Sequence, residues 1–342
     1  MHTCPARVKE RAPGRDFSSC HGRGDRLTGH RHCVTIRYIR HMNPCLLPFA
    51  EPTLADASRV RECVAAARGQ GNDLSFANIY LLREKYATTV AMENGVLYRH
   101  YGGNGRLQGY AFPCGAVDTE AALCRIETDA AIRQRPLQFC LLTDEEAELL
   151  RDWRPGRFSF AADPGDTDYL YRRSDLAELP GTAYHRKRNH IARFEKLFPD
   201  WRYEPLTADN GADALMVARA WMEGREEAAA ALEHELRAIQ HALEHIAELQ
   251  LCGGLIRVRQ QPVAMSIASF ISPAVADVHY EKCLPAFRDA FPVINRELAR
   301  RLRCDFINRE EDLNQPGLRQ AKESYRPALL LCKYSALALM SC

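Results

Sequence analysis

Ala276-Asp-Val-His-Tyr-Glu-Lys282 alternates apolar and ionisable residues and reads as a β-strand. Strict alternation predicts Ala276, Val278 and Tyr280 on one face and Asp277, His279 and Glu281 on the other. A strand inside an α/β sheet is normally apolar on both faces. Three ionisable groups on one face therefore point either to a solvated cleft or to an edge strand with a polar face. The preceding strand, 263–270, suits a cleft, because Ala264, Ser266 and Ala268 leave room on one side.

The surrounding pattern has the same element order twice. The first half reads as a strand over 46–51, helices over 57–68 and 73–85, and a hairpin over 88–101 turning at Asn94-Gly95. A strand over 107–112, a helix over 119–135 and a strand over 137–142 follow. Thr143 and Glu146 then have the spacing of a capping box for a helix ending at Trp153. Strands over 157–161 and 168–171 close the half. The second half repeats this with a strand over 202–206, helices over 213–223 and 225–248, and strands over 251–257, 263–270 and 276–282. A helix over 287–302, a strand over 304–307, a helix over 317–324 and a strand over 328–333 complete it. The expected division is an N-terminal extension over 1–41, disordered or outside the true start at Met42, then a first domain over 42–183. A basic linker helix over 184–200 leads to a second, probable catalytic domain over 201–342. This order is that of GNAT-type acyltransferases, so the expected fold class is α/β, a tandem GNAT-like fold of two mixed sheets flanked by helices.

Composition narrows the function. The 342 residues are 46% hydrophobic, enough for a core in each half, and no run approaches the length needed to span a bilayer. Residues 1–41 carry nine Lys/Arg against three Asp/Glu; the net charge of +2 thus leaves −4 on the rest, which gives no case for bulk nucleic-acid binding. Thirteen cysteines without a Cys-x-x-Cys pair read as free thiols of a cytoplasmic protein. His241 and His245 stand one helical turn apart without a third ligand, so no metal site is expected.

Acyl transfer to an amine needs a proton acceptor and a group to steady the oxyanion. Glu281 or His279 suits the first role. Phe306-Ile-Asn-Arg-Glu-Glu-Asp-Leu313 runs from a strand end into a polar loop, where α/β sheets place ligands. Asn308, Arg309, Glu310 and Asp312 are the contacts expected there. Arg319 and Lys322 lie three apart on the next helix and could hold a phosphate or carboxylate, with Ser324 and Tyr325 adding hydroxyls. His185, Arg186, Lys187, Arg188 and His190 make the linker helix a basic patch suited to phosphates, with Ile191, Phe194 and Phe198 on its apolar stripe.

These segments resemble the C-terminal catalytic domain of phosphatidylglycerol lysyltransferases, including stand-alone bacterial forms. The likeness runs over about 46–333. It is carried by Tyr184-His-Arg-Lys-Arg-Asn-His190, His279-Tyr-Glu-Lys282, Phe306-Ile-Asn-Arg-Glu-Glu-Asp-Leu313 and Gly317-Leu-Arg-Gln-Ala-Lys-Glu-Ser-Tyr-Arg-Pro327. The resemblance implies transfer of an aminoacyl group from a charged tRNA to a phospholipid, or a related acyl transfer; the expected donor is an aminoacyl-tRNA or acyl-CoA, the acceptor an amine or hydroxyl, with no tightly bound cofactor. The charge of the linker helix could attract the phosphates of an anionic lipid surface, as a peripheral contact, or those of CoA or tRNA. The resemblance assigns Glu281 and Glu310 to proton transfer or ammonium recognition, and Asn308, Arg309, Arg319 and Lys322 to positioning the donor. No Cys or Ser stands in a nucleophile motif, so direct attack in a ternary complex is expected. The alternative is a non-catalytic module on the same fold that binds anionic lipid or nucleic acid.

Overall fold

A computed structural model describes residues 46–103, 107–116, 118–223 and 229–339. The expectations for 1–41, and for a helix beginning at Arg225, concern residues outside that set.

Helix α1 (Ala57–Ala67) turns Val60 and Val64 inward, and α2 (Phe76–Leu81) is capped by Ser75, whose Oγ accepts from the Asn78 N–H. The helix expected over 73–85 is broken at Leu82, beyond which α3 (Arg83–Tyr86) begins. The hairpin β1 (Thr88–Glu93) and β2 (Val96–Tyr101) turns at Asn94 and Gly95, both at positive φ, as a two-residue loop with the twist of its strands requires. There follow β3 (Gly109–Tyr110), β4 (Cys114–Gly115), α4 (Thr119–Ile132), β5 (Gln138–Leu142), α5 (Asp144–Trp153), β6 (Phe158–Ala162), β7 (Asp168–Arg172) and α6 (Arg173–Glu178). The Thr143–Glu146 capping box forms at the start of α5. Of the strand expected over 46–51, one bridge remains, Ala50 to Val90.

The basic helix is α7 (His185–Leu197). After it come β8 (Trp201–Pro205), α8 (Gly211–Met222), α9 (Ala229–Glu244), β9 (Cys252–Val258), β10 (Gln261–Ser272), β11 (Val275–Cys283), α10 (Ala290–Arg301), β12 (Phe306–Asn308), α11 (Pro316–Glu323), β13 (Leu329–Leu331) and β14 (Tyr334–Ala338).

The strands make two seven-stranded sheets, one in the order β1-β2-β3-β5-β14-β6 with β4 against β2, the other β13-β7-β12-β11-β10-β9-β8. Each is mixed, with one parallel pair among the described strands: β3 with β5, and β11 with β12. Beside its parallel strand each sheet takes one antiparallel strand from the other half of the chain. β7, from 42–183, lies against β12, and β14, from 201–342, lies against β5. Sheet membership therefore crosses the expected division, and the described residues fall in one compact unit. Val60, Phe76 and Tyr80 of the first helices share a core with Leu255, Ile267 and Ile294. A smaller core around Tyr110, Phe139 and Leu123 fills the first sheet.

Candidate active site

The parallel strands β11 and β12 pair over three residues only, ending at Asp277 opposite Asn308. β12 stops there while β11 continues to Cys283, so the sheet opens as a wedge. In the first sheet the equivalent parallel contact is Tyr110 with Phe139, inside an aromatic core. The second wedge instead holds buried ionisable groups, which must be paired or hydrogen-bonded to be tolerated.

The alternation expected along β11 fails at one residue. Ile267 stands opposite Tyr280 but Ala268 opposite Val278, so His279 is the extra residue of a β-bulge. Register on β10 then places Asp277 with Ser269 on one face and Glu281 with Ser266 on the other. Glu281 therefore does not share a face with Asp277 and His279.

On the first face, His279 Nδ1 lies 3.1 Å from Glu310 Oε1 and 3.5 Å from Asp277 Oδ2. Its Nε2 lies 2.9 Å from Ser269 Oγ, which is 2.9 Å from Ser75 Oγ. Asn78 Nδ2 donates to Glu310 Oε1 at 3.2 Å. Asp277 is fully buried and, among the described residues, neither of its carboxylate oxygens has a hydrogen-bond partner. Burial pushes the Asp277 carboxyl well above the usual carboxylate range, and the nearby Glu310 adds to this. Burial also raises Glu310, while its bond to His279 opposes the rise. Glu310 sits at φ +58°, held by its own N–H donating to Asn308 Oδ1 at 2.7 Å. A non-glycine residue in the left-handed region stores strain that the site's hydrogen bonds must hold. Of the three, Glu310 reaches furthest out, with 21% of its side chain exposed against 3% for His279.

On the second face, Glu281 accepts from Arg309 and from Asn295 Nδ2. The Arg309 guanidinium lies 4.9 Å from the Tyr325 ring centre and 5.7 Å from that of Tyr171. Its NH1 is buried without a hydrogen-bond partner among the described residues. Lys187 of α7 lies over the Tyr325 ring, its Nζ 3.8 Å from the ring centre. Burial, then the charges of Arg309 and Arg186, pull Lys187 down to about 8.

The other expected contacts are largely committed within the chain. Arg319 is bidentate to Asp312, which also accepts from Tyr169 Oη at 2.7 Å. Lys322 is buried and donates to the carbonyls of Arg309 and Glu310. The pair Arg319 and Lys322 thus braces the loop after β12, where the sequence suggested a phosphate clamp. Asn308 is buried and donates to Gln70 O and Asp168 Oδ2. Ser324 Oγ donates to Ala321 O, and Tyr325 O accepts from Tyr184 Oη. On α7, Arg188 donates to Leu179 O and Gly181 O, and His190 Nδ1 lies 2.7 Å from Asp289 Oδ1. His185 and Arg186 are exposed.

Sequence reading missed the network joining the halves. Lys333 Nζ, buried just before β14, lies 2.9 Å from Asp168 and 3.4 Å from Asp73, and donates to Asn72 Oδ1. Burial pulls this ammonium down, but Asp168 and Asp73 outweigh it and hold the proton on. Asn72, Asp73 and Lys333 line a cleft with Asn78, Tyr86 and Glu311, next to Glu310. Lys333 and Glu311 lie more than two hundred residues from Asn72, Asp73, Asn78 and Tyr86 and share no motif with them.

A family model described as phosphatidylglycerol lysyltransferase, C-terminal, matches residues 65–337. The chain belongs to this family. Its fold is shared with a conserved protein of unknown function from Bacteroides thetaiotaomicron, 33% identical, covering 86% of this chain and 100% of that one at a TM-score of 0.79. L-PGS from Bacillus licheniformis matches at a TM-score of 0.60 and 12% identity, covering 84% of this chain and 93% of that one. The C-terminal domain of a putative lysylphosphatidylglycerol synthetase from Agrobacterium fabrum matches at 0.57 and 14%, covering 82% and 92%. No curated protein sequence matches. As a member of this lysyltransferase family, the protein is assigned to the transferases. None of its described helices is long and apolar enough to cross a membrane.

Proposed function

We propose that the protein transfers an aminoacyl group from tRNA, or an acyl group from CoA, to an amine or hydroxyl acceptor at the wedge of the second sheet. The observation that supports this reading most strongly is the wedge itself, where Glu310 backed by His279 flanks one side and Arg309 backed by Glu281 the other.

Glu310, raised by burial, accepts the acceptor's proton, and His279 behind it shares that proton. The free NH1 of Arg309 is directed to the oxyanion or to a donor phosphate. Glu281 and Asn295 position Arg309, so Glu281 acts through its neighbour. Lys322 fixes the backbone that presents Arg309 and Glu310. Attack is direct, since Ser269 is buried and occupied between Ser75 and His279. His185 and Arg186, exposed on α7, with Lys187 beside them, attract the phosphates of the donor or of an anionic lipid surface.

The test is incubation of the protein with radiolabelled aminoacyl-tRNAs and acyl-CoAs, each with phospholipid and small-amine acceptors. Transfer from one donor class, lost on Glu310→Gln, is expected. Absence of transfer across the panel, with polyanion binding abolished by Arg186→Glu and Lys187→Glu, overturns this reading in favour of a binding module.

A further inference from the structure

Asp277, His279 and Glu310 each offer one ligand atom, and the three atoms lie within 4.8 Å of one another. We infer that they form a binding site for a divalent first-row transition-metal ion. Ion binding does not rest on the transferase reading, though the site lies in the same wedge.

Four observations carry this. First, Asp277 is wholly buried and both its oxygens lack hydrogen-bond partners among the described residues. Protonation would remove its charge but still leave an acid without partners, and buried polar groups in folded proteins almost always have them. A cation satisfies both requirements. Second, ligands about 2.0–2.1 Å from a tetrahedral ion stand roughly 3.3 Å apart. The separations of 3.1 Å and 3.5 Å from His279 Nδ1 to the two carboxylates bracket that figure. Third, Nε2 of His279 faces Ser269 Oγ, which leaves the Nδ1 lone pair for the ion and fixes the ring as second-sphere partners do. Asn78 orients Glu310 in the same manner. Fourth, a single bulge brings His279 to the Asp277 face, and Glu310 meets them from its own left-handed backbone.

One imidazole with two carboxylates suits Zn²⁺, Mn²⁺ or Fe²⁺ better than the all-oxygen ions Mg²⁺ and Ca²⁺. Three protein ligands leave positions for water or substrate. An ion and a proton compete for Nδ1. The metal-bound form would therefore polarise a carbonyl or bound water in place of accepting a proton there.

The experiment is calorimetric titration of the full chain, stripped with EDTA, using Zn²⁺ and Mn²⁺ alone. One ion per chain is expected, with a metal-dependent rise in Tm. Asp277→Asn should weaken affinity at least 100-fold and abolish that rise, while its Tm in EDTA stays at or above the parent's. Absence of saturable binding, or unchanged affinity in Asp277→Asn, overturns the site. X-ray absorption of the Zn²⁺-loaded parent gives a check independent of any variant. A shell of nitrogen and oxygen is expected, and a sulfur shell from the cysteines would refute it. No donor or acceptor is present, so failure here leaves the transferase reading standing, and failed transfer leaves the site standing.

Discussion

Asn308 closes the parallel pairing of the second sheet opposite Asp277, and beyond that rung the two strands part. Both residues are fully buried. The rung is the hinge of the wedge: the bulge at His279 lies just past it on one strand, and Arg309 and Glu310 just past it on the other.

Glu281 is predicted to matter for stability before chemistry. It is the carboxylate partner of a buried guanidinium, and removing one member of such a pair strands the other charge. Glu281→Ala should destabilise the fold by about 3–5 kcal/mol. Glu281→Gln, which keeps hydrogen-bonding capacity, should cost less. Urea unfolding of the two variants checks this.

Lys333 ties Asp168 and Asp73 together across the two halves. Lys333→Met leaves the buried Asp168 carboxylate without its cation, while Asp73 keeps its pair with Arg99. A loss of about 3–5 kcal/mol is expected, read as a lower midpoint in denaturant. The Thr143→Ala cap variant, by contrast, should cost only about 1 kcal/mol, because the box sits at one helix end.

Lys187 gives a pH signature. Its ammonium, held down to about 8, loses charge as pH rises through that value. Polyanion binding by α7 should weaken over the same range in the parent and stay flat in Lys187→Arg. Stability moves the opposite way. Between about 8 and the ordinary 10.5 the unfolded chain keeps a proton that the folded chain has released, so stability rises with pH there. Lys187→Met should remove that rise in thermal melts across the window.

Much of the architecture was legible in the sequence because local signals were strong. The Asn94-Gly95 hairpin, the Thr143 capping box and the strand over 276–282 rest on turn, cap and period chemistry between near neighbours. The site was legible in its residues but not in its grouping. A bulge inserts one residue and reverses every later side chain on its strand, so alternation put Glu281 with His279 when Arg309 is its partner. Charge content marked Arg319 and Lys322 as binding groups. Their ion pair and carbonyl contacts depend on the path of the loop after β12. The exchange of β7 and β14 between sheets is a pairing over long sequence separation, and no local pattern records it.

The central claim is that transfer chemistry occurs in the wedge of the second sheet and not in the aromatic core of the first. Single-turnover transfer by the parent, Glu310→Gln and Tyr110→Phe, with folding verified by circular dichroism, tests it most directly. The account predicts a fall of about 10²- to 10⁴-fold for Glu310→Gln and near-parental rates for Tyr110→Phe. Parental rates in Glu310→Gln, with activity lost in Tyr110→Phe, would contradict it.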